Sequence, residues 1–294
     1  MQAVLITAYH NFTQLSRLSE ILSSRFEVYI HVDKKAKKAV VPVNDRVHVY
    51  SVYNVNWGSC NHLRSILLLM QEALKNDDNT YFHLISGDDW PTRDIDDIYN
   101  HFEDNNEIDI MCTKFSSMTK EWYDNCHIWQ RYYWWMDCFD YKIIPIKVLV
   151  KSIVLFQRLF GVNRLKKLPM IIGSDRELAQ GLVWGSYPRD SIQYCLDYNK
   201  SNPLLLEFLS SGNAAEEFFF HTILSNDERF SARITGNNYR YMNWSRKNGS
   251  YPAVLDINDF ESIEKSECFF CRKVHEKVSA ELIEALNSRR VKTD

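Results

Sequence analysis

Two adjacent carboxylates, Glu216 and Glu217, stand at the head of the run Phe218, Phe219, Phe220, His221, Thr222, Ile223 and Leu224. The run is apolar almost all round, which predicts a buried helix. Acids suit the first turn of such a helix, where unpaired backbone N–H groups favour negative charge. Neighbouring helical residues point in different directions, so the two side chains cannot both face the same surroundings. Either one of them is held at a pocket rim, as a general base must be, or both are capping charges. Other groups with possible chemistry follow apolar segments. His10 comes after Ala3–Thr7, Asp33 after Glu27–Val32, and Asp88 and Asp89 after Tyr81–Ser86. Asp94-Ile95-Asp96 has the spacing of a metal-holding D-x-D pair, but it follows Pro91 and suits the acidic start of a helix better.

Those apolar segments predict the scaffold. Ala3–Thr7, Glu27–Val32, Val47–Tyr50 and Tyr81–Ser86 read as buried strands. Between them, Leu15, Leu18, Ile21 and Leu22 share one helical face, with Asn11 or Thr13 as the cap, and so do Leu63, Ile66, Leu67, Met70 and Leu74. Alternating strands and helices imply a mainly parallel α/β sheet, with functional residues on the loops after the strand ends. His10, Asp33 and Asp88–Asp89 all lie on such loops. Further on, Ala179–Ser186, Arg229–Ile234 and Tyr239–Trp244 read as strands, and Asp190–Tyr198 and Glu276–Leu286 as helices.

Composition bounds the function class. Across 294 residues, 45% hydrophobic and 25% charged content is that of a soluble globular protein. A net charge of -3 gives no reason to expect nucleic acid as a partner. The aromatic content is high at 14%, and Trp57, Trp90 and Trp184 could stack on sugar rings or fill the core. Seven irregularly spaced cysteines, with Cys268 and Cys271 the one C-x-x-C pair, fit reduced thiols rather than a zinc site. The opening MQAVLITAYHNF lacks a basic region and a long apolar core, so a cytoplasmic location is expected. The basic amphipathic stretch Ile146–Lys167 is either a core helix with a solvated edge or an interfacial helix that touches the membrane's inner face.

Eight segments in order resemble the core-2/I-branching enzyme family of glycosyltransferases (family 14), which includes peptide O-xylosyltransferases. They are AYHNFTQL, YIHVDKK, VNWGS with its following helix, YFHLISGDDWP, GLVWGSYPRD, EEFFFHTIL, NYRYMNWSRKNG and FFCRK. The resemblance covers most of the chain apart from roughly residues 115–172, and it is to the compact bacterial type. It implies a GT-A-like α/β domain over 1–294. Residues 1–112 would be the nucleotide-sugar-binding half, 113–172 a variable aromatic and helical insert, and 173–294 the acceptor and catalytic half.

The resemblance also implies an inverting transfer from a UDP-sugar to a glycan, possible without a covalent intermediate. Glu217 matches the catalytic base by its spacing to His221 and Thr222, and Glu216 a neighbouring acid. Asp88, Asp89, Trp90 and Trp184 fall on the acceptor side of the cleft with Glu216. Tyr9, His10 and Asp33 fall where the nucleotide binds. Arg246 and Lys273, with Lys247 and Arg272 beside them, match basic groups that replace a metal at the leaving diphosphate, so no metal cofactor is expected. Ala253 departs from the Arg that branching-type members carry after the matching Pro, and Arg246–Gly249 is similar to the xylosyltransferase arm. GlcNAc, β-linked, is the expected donor sugar, with UDP-xylose as the rival. A glycan or lipid-linked oligosaccharide is the expected acceptor. A non-catalytic carbohydrate-binding protein is the reading from another class.

Overall fold

The structure, a computed structural model, describes residues 1–36 and 42–290. Its centre is a five-stranded sheet of order β3-β2-β1-β4-β8, built from β1 (Gln2–Ala8), β2 (Glu27–Val32), β3 (Val47–Tyr50), β4 (Tyr81–Ser86) and β8 (Gly185–Pro188). β1 pairs in parallel with β2 and β4, and β2 with β3, while β8 closes the edge antiparallel to β4. This is the expected α/β arrangement with a mainly parallel sheet, consistent with a GT-A-like fold.

Both faces of the sheet are covered. Ala3 and Leu5 of β1 enter one core with Leu63, Ile66 and Met70 of α2 (Cys60–Leu74). Val4 and Ile6 point the other way, into a second core with Leu15, Leu18 and Leu22 of α1 (Phe12–Leu22). Strands buried on both faces read as unbroken apolar runs. Each fully buried Leu or Ile contributes roughly 1.5–3 kcal/mol, so the sheet is a rigid base for the loops at its ends.

A smaller sheet carries the C-terminal part of the chain to those same ends. Its order is β5-β10-β9, from β5 (Asp89–Pro91), β9 (Arg240–Met242) and β10 (Phe270–Arg272). In the antiparallel β5–β10 ladder, Arg272 sits opposite Asp89. Buried Arg240 ties the two sheets together, donating to Ser186 Oγ at 2.9 Å and to the Gly185 carbonyl at 2.8 Å.

Three expectations change in the structure. The stretch Ala179–Ser186 is not one strand. It splits into β7 (Ala179–Gln180), paired with β6 (Thr113–Lys114), and β8, because Gly181 passes so close to the Met111 carbonyl that a Cβ would lie 1.6 Å from it. Arg229–Ile234 is not a strand. Asp227 caps a helical turn at Glu228–Ser231 by accepting the Arg229 N–H, and Ile234 keeps a single bridge to Ile108. The two acids of Glu216–Glu217 occupy a 3-10 turn, Ala215–Glu217, ahead of a separate helix, Phe219–Ser225.

Candidate active site

A cleft of about 440 Å³ opens where β1, β2 and β4 end, lined by both acidic and basic groups. Three of the parallel strands deliver residues to it directly: Tyr9 and His10 after β1, Asp33 after β2, Asp88 after β4. Asn11 turns the chain sharply there, in the left-handed conformation (φ 55°) that Asn tolerates.

Ala214, also left-handed (φ 54°), redirects the backbone just ahead of Glu216 and Glu217, with its N–H bonded to the Gly58 carbonyl at 3.0 Å. Glu216 is buried, and its Oε1 lies 3.1 Å from Nδ1 of His62 at the start of α2. His62 Nε2 in turn lies 3.1 Å from Thr7 Oγ1 on β1, which ties this acid to the sheet. Glu217 takes a different hydrogen bond. Its Oε2 accepts from Gln180 Nε2 at 2.7 Å, and Gln180 Oε1 accepts from Trp122 Nε1 at 2.8 Å. The indole thus fixes which end of the amide faces Glu217. Burial first, and the neighbouring Glu216 second, push the Glu217 carboxyl up to about 8, against the opposing effect of Gln180. A carboxyl poised there can take a proton near neutral pH, which suits a general base.

The basic groups come from three parts of the chain. Arg272 is held by an ion pair to Asp89 (Nε–Oδ1 3.2 Å) and lies over the Trp184 ring at 4.1 Å. Its buried Nη1 has no hydrogen-bond partner among the described residues, leaving a donor for an anion in the cleft. Lys273 donates to Ser250 Oγ at 3.2 Å, and burial, with Arg272 nearby, lowers its pKa. Lys142 lies over the Tyr9 ring at 4.9 Å. His10 Nε2 is 3.2 Å from Asp88 Oδ2, and that hydrogen bond raises the imidazole pKa.

Asp33 is nearly buried, its Oδ1 accepting the Lys35 and Val55 N–H groups at 3.0 and 3.1 Å. His31 is a structural group: its Nε2 accepts the Val52 and Tyr53 N–H groups, and burial lowers its pKa to about 4, so it stays neutral. It shapes the loop that carries Trp57 to the rim, where that ring stacks on Tyr141 at 5.9 Å.

The cleft therefore brings together Tyr9, His10, Asp33, Asp88, Trp184, Glu216, Glu217, Arg272 and Lys273. Three expected residues stand apart. Arg246 is exposed on a turn outside the cleft, while its neighbour Lys247 is clamped by Asp256 and Asp259, each at 2.8 Å. From that turn it is Ser250 that reaches the site. Asp89 is fully buried and positions Arg272 rather than meeting a ligand. Trp90 is buried too, donating to Asn287 Oδ1 at 3.2 Å. Asp94 and Asp96 serve the helix start, with Asp94 capping Ile95–His101 and Asp96 paired to Arg25 at 2.9 Å. Sequence reasoning missed His62, Gln180 and Lys142. The last lies in the stretch without motif, and nothing in the local pattern marks it.

Comparison with known proteins finds similarity to named glycosyltransferases. Xylosyltransferase 2 of Mus musculus is 24% identical over 93% of this chain and 32% of its own length. The beta-glucuronosyltransferase GlcAT14A of Arabidopsis thaliana is 24% identical over 42% of this chain and 28% of its own length. The chain thus spans about a third or less of these relatives. Arg272 and Lys273 lie just beyond the stretch that the family model covers, so their place in the site rests on geometry. With the model for the Core-2/I-Branching enzyme matching residues 3–264, the chain belongs to that family.

Proposed function

We propose that this chain moves a sugar from a UDP-sugar to a glycan hydroxyl, inverting the anomeric centre without a metal. Glu217 removes the acceptor proton as the acceptor oxygen bonds to the anomeric carbon from one face. The bond from that carbon to the diphosphate oxygen breaks on the other face, and UDP leaves with the electron pair. Arg272, Lys273 and Lys142 meet the charge that gathers on the diphosphate. Charge-assisted hydrogen bonds contribute roughly 1.5–3 kcal/mol each, and more where charge develops in the transition state. Asp33 and the Trp57 rim suit the nucleoside, and Trp184 and Asp88 the sugars.

The observation that supports this reading most is that Glu217 shares one cleft with Arg272 and Lys273. A purely carbohydrate-binding protein has no use for a carboxyl raised to about 8 in a cleft that also holds Lys142, Arg272 and Lys273. GlcNAc is the proposed donor sugar. Xylose is the second reading, favoured by the name of the mouse relative, which aligns over 93% of the chain. A glucuronate donor suits the site less, because it would bring a third carboxylate toward Glu216 and Glu217. The proposed acceptor is a glycan, carried free or on a lipid at the cytoplasmic membrane face. Calorimetric titration with UDP-GlcNAc, UDP-xylose and UDP-glucuronate, followed by transfer assays with and without EDTA, tests each part. Absence of binding by any UDP-sugar would remove the proposal, and loss of transfer in EDTA would remove the metal-free mechanism.

A further inference from the structure

The helix Ile144–Leu159 is turned inside out for a globular surface. Within it, Val150 and Gln157 are the buried residues. Ile144, Val148, Leu155 and Leu159 follow one another at helical spacing on the outside, and Leu149, Phe156 and Phe160 run alongside them. The exposures are large: 75% at Ile144, 76% at Leu159, 70% at Phe160, and 78% at the nearby Met170. Single exposed apolar side chains are ordinary, but a continuous stripe of this kind marks a surface that something covers.

Charge identifies the cover. From Tyr141 to Ser174 the sequence has no Asp or Glu, yet it holds Lys142, Lys147, Lys151, Arg158, Arg164, Lys166 and Lys167. Arg164 is buried and donates to backbone carbonyls of Gln130 and Tyr132, and Lys142 lies at the cleft. The other five are exposed, with Lys147, Lys151 and Arg158 along one flank of the apolar stripe and Lys166 and Lys167 beyond the helix. This concentration of positive charge sits on a chain whose net charge is -3. Apolar groups that enter an acyl boundary, ringed by cations that meet headgroups, form the pattern of an interfacial helix. Among the described residues no helix is long and apolar enough to cross a membrane, so the helix would lie on the surface.

We propose that the face formed by Ile144–Phe160 and the Arg164–Met170 segment docks the protein on an anionic lipid bilayer. The helix is anchored to the body through Gln157, which accepts the Tyr133 N–H at 2.8 Å and donates to the Tyr133 carbonyl at 2.9 Å. It begins just beyond Lys142, which lines the cleft, and Tyr141, which stacks on the rim residue Trp57. Docking would therefore hold the mouth of the cleft close to the headgroups, within reach of an acceptor anchored in lipid. The docking stands without the sugar-transfer reading, since it is scored without any sugar present.

The test is flotation of the intact protein with phosphatidylcholine vesicles, with and without phosphatidylglycerol. The wild type is expected to float with the anionic vesicles alone and to be released by salt. Phe156→Ser with Leu159→Ser, and separately Lys147→Glu with Lys151→Glu, are expected to weaken partitioning about tenfold or more while thermal unfolding midpoints are kept. Failure of the wild type to float would overturn the proposal, as would equal flotation with phosphatidylcholine alone. A dimer seen by light scattering that the Phe156→Ser, Leu159→Ser variant dissolves would also overturn it, by assigning the face to a second copy of this chain.

Discussion

Replacing Glu217 by Gln removes a titration without removing a shape, and the structure sets both sign and size of the effect. The carboxyl stands at about 8 in the folded protein against an ordinary 4.5. The native state therefore holds this proton more tightly than the unfolded chain does. Below pH 4.5 both states are protonated and the group is neutral to stability. As the pH rises through the window up to about 8, the unfolded chain releases the proton first, and native stability falls. Above it, the full cost of keeping a carboxylate in this site applies, on the order of 4–5 kcal/mol. The amide of Gln can still accept the Gln180 N–H, so that hydrogen bond survives. The variant should match the wild type near pH 4.5 and exceed it at pH 8.5 by several kcal/mol, on the order of 5–10 °C in unfolding midpoint for a chain of this size. Scanning calorimetry of both proteins across that range reads the difference directly. A midpoint difference that does not change with pH, or a variant less stable than wild type at pH 8.5, would refute the burial argument.

Three further outcomes follow from the same geometry. The pH profile of kcat/KM should fall on the acid side with an apparent pKa near 8, since this parameter reports the free enzyme's base; a profile flat from pH 6 to 9 would count against Glu217. Lys142→Ala should weaken UDP binding roughly tenfold or more by calorimetry, whereas Arg246→Ala should leave it unchanged; the reverse ranking would return the leaving-group role to Arg246. Gln180→Leu removes the N–H that favours the ionised carboxylate, so the acid limb of kcat/KM should move to higher pH, and a downward move would show that Gln180 does not act on Glu217.

Much of the sheet was legible in the sequence, for a physical reason. Glu27–Val32, Val47–Tyr50 and Tyr81–Ser86 are strands with the expected bounds because the apolar run itself is the signal when helices cover both faces. The failures came from contacts that local patterns do not contain. Ala179–Ser186 breaks because Gly181 meets the Met111 carbonyl, which lies 70 residues earlier in the chain. At Arg229–Ile234 a helical turn replaces the expected strand, because the cap at Asp227 prevailed.

The site divides along the same line. Residues just after strand ends, such as His10, Asp33 and Asp88, could be placed from topology, whereas Glu217 was singled out from its neighbour Glu216 through the family resemblance of EEFFFHTIL. Asp89 and Trp90 follow the same strand as Asp88 but pair with β10 instead, which buries them. Arg246 matched by motif, but its turn directs Lys247 inward to Asp256 and leaves Arg246 in solvent. The cation that reaches the cleft from elsewhere, Lys142, belongs to a segment where no motif exists to find it. Likewise, the Trp122–Gln180 pair that orients Glu217 is a tertiary contact between residues 58 apart.

The most direct test of the account measures donor binding and sugar transfer together in Glu217→Gln. If one carboxylate takes the acceptor proton while separate cations hold the diphosphate, calorimetry will show the UDP-sugar bound with affinity close to wild type. Transfer will fall by about 10²–10⁴-fold, the usual contribution of a general base. Turnover at the wild-type rate, with donor binding intact, would contradict it.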